Sequence, residues 1–171
     1  MSEQDRNLRA KRFPNTTTLL TSERDTGGKL LEYDEEKITK LSSELFNALR
    51  MLRELSELPK DEFLSNPHYV ASAKYFLIVA IEAATDICNH IISRNKLRVP
   101  EDYADTFRVM KEAGFFDDEF AERLMRMARF RNRLVHIYWN VDDELIYEIL
   151  QGDIEDLEEF IDRLMGNLRK L

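Results

Sequence analysis

The chain has 171 residues, with 33 acidic against 25 basic side chains and a net charge of −8. That length supports one domain with a real core, and the acidic balance argues against broad electrostatic binding to nucleic acid without excluding a locally basic site. Only 5 Gly and 4 Pro, 43% hydrophobic residues, no apolar run near the roughly 20 needed to span a bilayer and no secretory signal describe a soluble helical protein.

The single cysteine, Cys88, lies in an apolar stretch and cannot form an internal disulfide, which fits a reducing, cytoplasmic setting. His68, His90 and His136 are too scattered for metal-ligand spacing, so no metal or other cofactor is expected.

Residues 1–30 combine Pro14, three threonines, Gly27-Gly28 and few large apolar groups, and read as a mobile arm before a helical domain over 31–171. From about Asp34 to Leu58, Ile38, Leu41, Leu45, Leu49 and Leu52 recur at three- and four-residue steps, and Pro59 ends the helix. Ser65-Asn66-Pro67 then opens a second helix reaching about Arg94. It is apolar almost all round, as a central helix should be, apart from a narrow stripe of Glu82, Thr85, Asp86, Asn89, His90 and Ser93. That stripe is either a solvated strip or the wall of a polar cleft.

Pro100-Glu101-Asp102 begins a third helix through Phe107 and Met110, with Gly114 as its stop. Asp117 or Asp118 caps a fourth. Asp142 caps a short segment from Glu144 to Leu150, and Gly152-Asp153 leads into a last helix in which Ile154, Leu157, Ile161, Leu164 and Leu168 alternate three and four apart. No strand pattern or repeat is present. The fold class is all-α, a bundle of five or six helices.

Within the fourth helix, the residue choice conflicts with the helical pattern at Arg131. Leu124, Met127 and Ala128 set an apolar face that Leu134 and Val135 continue, and Arg131 projects from its middle. A guanidinium keeps its proton, so there it needs an anion, a wet cleft or a partner subunit. Tyr138 lies on its side of the helix. His136 does not, since five residues is about 140° round the helix and ~7.5 Å along it. Either the helix breaks or a second copy completes a site.

Arg123, Arg126, Arg129, Arg131 and Arg133 concentrate positive charge suited to phosphate, and Arg126, Arg129 and Arg133 share a face with His136. Arginine can stabilise charge on a phosphoryl group, histidine can move protons near neutrality, and tyrosine can hold a phosphate oxygen or accept a modifying group. These parts would suffice for metal-independent RNA cleavage by a neighbouring 2′-hydroxyl. Equally, the arginines could be neutralised by nearby acids and the histidine could be structural.

At Arg131-Asn132-Arg133-Leu134-Val135-His136-Ile137-Tyr138 the chain resembles the HEPN superfamily, specifically the HepT-like toxins of prokaryotic toxin–antitoxin pairs, whose signature is Arg, four residues, His, one residue, Tyr. The flanks are similar too: Ala80-Ile81-Glu82-Ala83 with Asp86-Ile87-Cys88-Asn89, Pro100-Glu101-Asp102-Tyr103, Phe130, Tyr138-Trp139 and Tyr147-Glu148-Ile149-Leu150. The resemblance runs from about Tyr33 to Leu164, and Arg133 departs from it, standing where the family has an apolar residue.

What it implies is an endoribonuclease toxin acting as a two-fold homodimer, with motifs from both copies lining one cleft. Arg131 and His136 would be catalytic, Asn132 would orient or bind, and Tyr138 would contact substrate. The implied antitoxin is a nucleotidyltransferase that transfers AMP to Tyr138, an adduct that would repel the RNA backbone. From the polar stripe and the basic run, Glu82, Asp86, Asn89 and Arg133 join as substrate-binding or orienting residues. Two other readings fit the residues: a non-catalytic module binding a nucleotidyltransferase or nucleotide, and a plain bundle in which Arg131 pairs with Glu82 or Asp86.

Overall fold

The computed structural model describes residues 31–137 and 141–169. The arm expected over residues 1–30 lies outside them. Seven helices fill the described residues: α1 Glu35–Ser56, α2 Lys60–Ser65, α3 Pro67–Arg94, α4 Tyr103–Glu112, α5 Asp118–His136, α6 Asp143–Gln151 and α7 Ile154–Arg169. Six follow the expected plan. The seventh, α2, fills the step after Pro59, where a single turn seats Phe63 beneath Tyr147 at 5.5 Å between ring centroids.

The helix starts are set by local chemistry. Asp34, Asn66, Asp102, Asp117 and Asp142 each accept a hydrogen bond from a backbone N–H in the first turn that follows, which relieves one of the donors a helix start leaves unpaired. The start of α4 falls at Tyr103, slightly later than the Pro100 expected, because Asp102 supplies the cap. At its other end Gly114 adopts φ +83°, with the Phe115 N–H donating to Met110 and the Gly114 N–H to Lys111, a stop that side chains with a Cβ resist.

α3 is the central member. It packs against every other helix, most extensively along α1, while α4 pairs mainly with α5. By length and composition α3 could cross a membrane, but most of its apolar window is buried inside the bundle, as befits a core helix. Cys88 sits fully buried there, and burial pushes its thiol well above the usual range, so it packs as a small apolar group.

At the far side Phe107, Phe116, Phe120 and Phe160 form edge-on and tilted contacts that lock α7 against α4 and α5. Phe160 was absent from the three-four pattern expected for α7, yet it is fully buried beside Leu157 and Ile161. Arg123 and Arg163 both lie over the Phe120 ring, held by Asp156, Glu159 and Asp117.

The start of α1 is clasped to the end of α3. The Asp34 N–H donates to His90 Nε2 at 2.9 Å, while Asn95 exchanges hydrogen bonds with the backbone of Glu32. Burial, then Lys37 and Arg94, hold the His90 imidazole below its ordinary pKa, against a weaker pull from Asp34. A folded-state pKa below the unfolded one means that the unfolded chain binds more protons as pH falls through about 6.5, so stability declines there. Thermal unfolding should accordingly shift to lower temperature between pH 7.5 and pH 5.5. The slope should flatten in His90→Asn, and an unchanged slope would count against the clasp.

Candidate active site

Arg131 is 8% exposed and lies where α3, α4 and α5 meet. Its Nη2 donates to Glu82 on α3, and Nη1 donates to the Asn132 side chain at 3.3 Å. The guanidinium carbon stands 4.4 Å from the ring centroid of Tyr103, the first residue of α4. Its Nε is buried without an acceptor among the described residues. The partner expected of a purely structural arginine is thus present in Glu82. That carboxylate is nevertheless 40% exposed at the side chain, so the pair forms the floor of an open surface.

The polar stripe of α3 divides. Thr85 is buried and its hydroxyl donates back to the Ile81 carbonyl, while His90 is buried in the α1 clasp. These two edges of the strip serve the fold. Its centre, with Glu82 half-buried and Asp86, Asn89 and Ser93 exposed, faces outward, and Glu82 and Asp86 are its members near Arg131. Asp86 is raised above the ordinary carboxylate range by partial burial of its carboxyl and by Glu82 one turn away. Asn89 Oδ1 accepts from the Thr106 hydroxyl at 3.3 Å, tying the strip to α4.

α5 continues unbroken through His136, and Ile137 leaves it at φ −132° and ψ 38°. The helix therefore does not bend to bring His136 onto the side of Arg131, and the two stay about 140° apart. His136 is exposed, as is Arg133, whose guanidinium lies 5.8 Å from the Phe130 ring centroid. Val135, expected to extend the buried face, is 43% exposed, and Ile137 is 46% exposed. Leu134 closes the buried face, and Val135 lies outside it in the last turn of α5. Tyr138 lies outside the described residues.

Val141 is buried, and Lys74 of α3, itself 6% exposed, donates to the Val141 carbonyl at 3.2 Å and to Asp143 at 2.8 Å. Neither Lys74 nor the seat of Arg131 on Tyr103 was anticipated, because both are contacts between distant segments. A concavity of about 750 Å³, wide open to solvent, is lined by Asp34, Glu35, Glu36, Thr39 and Lys40, none of them a candidate site residue.

Against known proteins, residues 45–164 match the family described as Ribonuclease HepT-like. The chain belongs to the HepT-like ribonuclease family. An Archaeoglobus fulgidus protein provisionally named an RNase is 36% identical to this HepT-like chain over 117 residues, covering 68% of it and 86% of the relative. The mRNA nuclease HepT of Shewanella oneidensis is 31% identical over 81 residues, 47% of this chain and 61% of that one. Among solved structures, a tri-AMPylated Shewanella oneidensis HEPN toxin in complex with MNT antitoxin superposes with a TM-score of 0.72 at 22% identity, covering 78% of this chain and 99% of that one. YutE of Bacillus subtilis, a cytosolic protein of unknown function, gives 0.69 at 20% identity over 81% and 92%. The all-helical fold of the HepT-like chain is that of the HEPN toxin.

Proposed function

We propose that the chain is the endoribonuclease toxin of a toxin–antitoxin pair and that it cuts RNA at a site built by two copies. The carrying observation is the unbroken α5: Arg131 and His136 lie on different sides of one straight helix, so a shared reaction centre needs a second chain. Exposed Val135 and Ile137 beside His136 give a two-fold contact apolar surface to bury.

In that site the RNA 2′-hydroxyl attacks the adjacent phosphorus and the 5′-oxygen leaves, giving a 2′,3′-cyclic phosphate and a 5′-hydroxyl. His136 takes the 2′-proton or returns one to the leaving oxygen, and Arg131 stabilises the charge that builds on the phosphoryl oxygens. Glu82 and Asn132 hold the guanidinium in place. Asp86 and Asn89 border the strand, and Arg133 meets its backbone.

Relatives of the same fold support a reading of its regulation. A HEPN toxin carrying AMP groups occurs in complex with MNT antitoxin, and in this chain Tyr138, two residues beyond His136, would be the acceptor. An AMP group there would add bulk and negative charge where the RNA phosphate must sit. The reaction takes place in the cytoplasm, with a nucleotidyltransferase antitoxin as the cognate partner.

Purified protein should cut RNA in excess chelator and leave 2′,3′-cyclic phosphate ends, detectable by mass spectrometry of the products. Coexpression with the cognate nucleotidyltransferase should add the mass of one or more AMP groups and stop cutting, and Tyr138→Phe should prevent both. Tight binding to that partner without cleavage of any RNA class would make the chain a non-catalytic module instead.

A further inference from the structure

We propose that Arg126, Arg129 and Arg133 form a track on α5 for the sugar–phosphate backbone of the RNA, leading along the helix to His136. This rests on the ribonuclease reading above. All three are exposed, and with His136 they occupy one strip of an unbroken helix. Steps of three and four residues separate them by about 4.5 and 6 Å along the axis. That is a pitch on which guanidinium groups can meet successive phosphates of an extended strand.

The absence of a close ion pair sets these arginines apart, although the charge of Arg126 reaches the Asp156 carboxyl, which is itself ion-paired to Arg123. Arg50, Arg53, Arg94, Arg98, Arg108, Arg123, Arg131 and Arg163 all have a carboxylate within ion-pair distance. Among the described residues, the three in this row have none, although acids outnumber bases by 33 to 25. Glu122, one turn before Arg126 on the same strip, stands within helical reach and makes no ion pair with it. An exposed row of unpaired guanidinium groups in an acidic protein is a local anion site, and its end at the proposed proton-transfer residue points to the polyanion that is cut.

The test uses the full chain carrying Arg126→Ala with Arg129→Ala. Affinity is read by fluorescence anisotropy on a long single-stranded RNA with 2′-O-methyl groups throughout, which lacks the attacking hydroxyl. Affinity should fall tenfold or more, and the slope of log K against log salt should become shallower by roughly 0.7 for each arginine removed. For cleavage of the unmodified strand, the loss should fall on KM rather than on kcat. Arg50→Ala on α1 serves as the control and should change none of these. Unchanged affinity and salt slope would overturn the track. So would a loss confined to nucleotidyltransferase binding, which would make the row a protein contact. Absence of cutting by the unaltered protein would sink the ribonuclease reading, while the anisotropy would still report on the row.

Discussion

His136→Ala is expected to lower RNA cleavage by about 10²- to 10⁴-fold, the usual contribution of a positioned proton donor or acceptor. The same change should leave the thermal midpoint nearly unmoved. His136 is exposed in the last turn of α5 and makes no side-chain hydrogen bond among the described residues, so its removal opens no cavity. Cleavage rates in chelator, with circular dichroism on the same samples, separate lost chemistry from lost fold. Full activity in the variant would remove His136 from the reaction.

The second large effect divides the two roles of Arg131. Glu82→Leu alone should destabilise the chain by roughly 1–3 kcal/mol, because it leaves a nearly buried guanidinium with only Asn132 and the Tyr103 face. The cost stays below that of breaking a fully buried pair, since the Glu82 side chain is 40% exposed and water can reach it. Arg131→Met combined with Glu82→Leu should recover most of that stability, as apolar groups replace a pair whose desolvation is costly. Cleavage in the double variant should nonetheless fall by about 10²-fold or more, for want of the group proposed to stabilise the phosphoryl oxygens. Urea midpoints and cleavage rates on the two variants test this. A stable double variant that still cuts at the original rate would show that Arg131 serves packing alone.

What could be read from sequence was what is decided within a few residues. The caps at Asp34, Asn66, Asp102, Asp117 and Asp142 and the stop at Gly114 depend on neighbours one to five positions away, and they stand where composition places them. The centrality of α3 followed from its lack of a polar side. By contrast, α2 has one turn and one large buried side chain, too little for any period to register. Helical spacing offered Arg131 both Glu82 and Asp86. The crossing of α3 and α5 gave it Glu82, a matter of three-dimensional placement. Thr85 and His90 looked equivalent to Asp86 and Asn89 on the same strip. Their burial depends on how closely neighbouring helices approach its two margins.

The order of helices along the chain matters while the protein is being made. α3 is the one described segment that a nascent chain could mistake for a bilayer anchor, and its longest contact is with α1, which leaves the ribosome before it. Its cover is therefore already waiting when its apolar surface emerges, and the wait for α4 and α5 exposes only the remaining side. Moving α1 behind α7 by circular permutation would reverse that sequence, with every native contact still available, and aggregation during synthesis should rise.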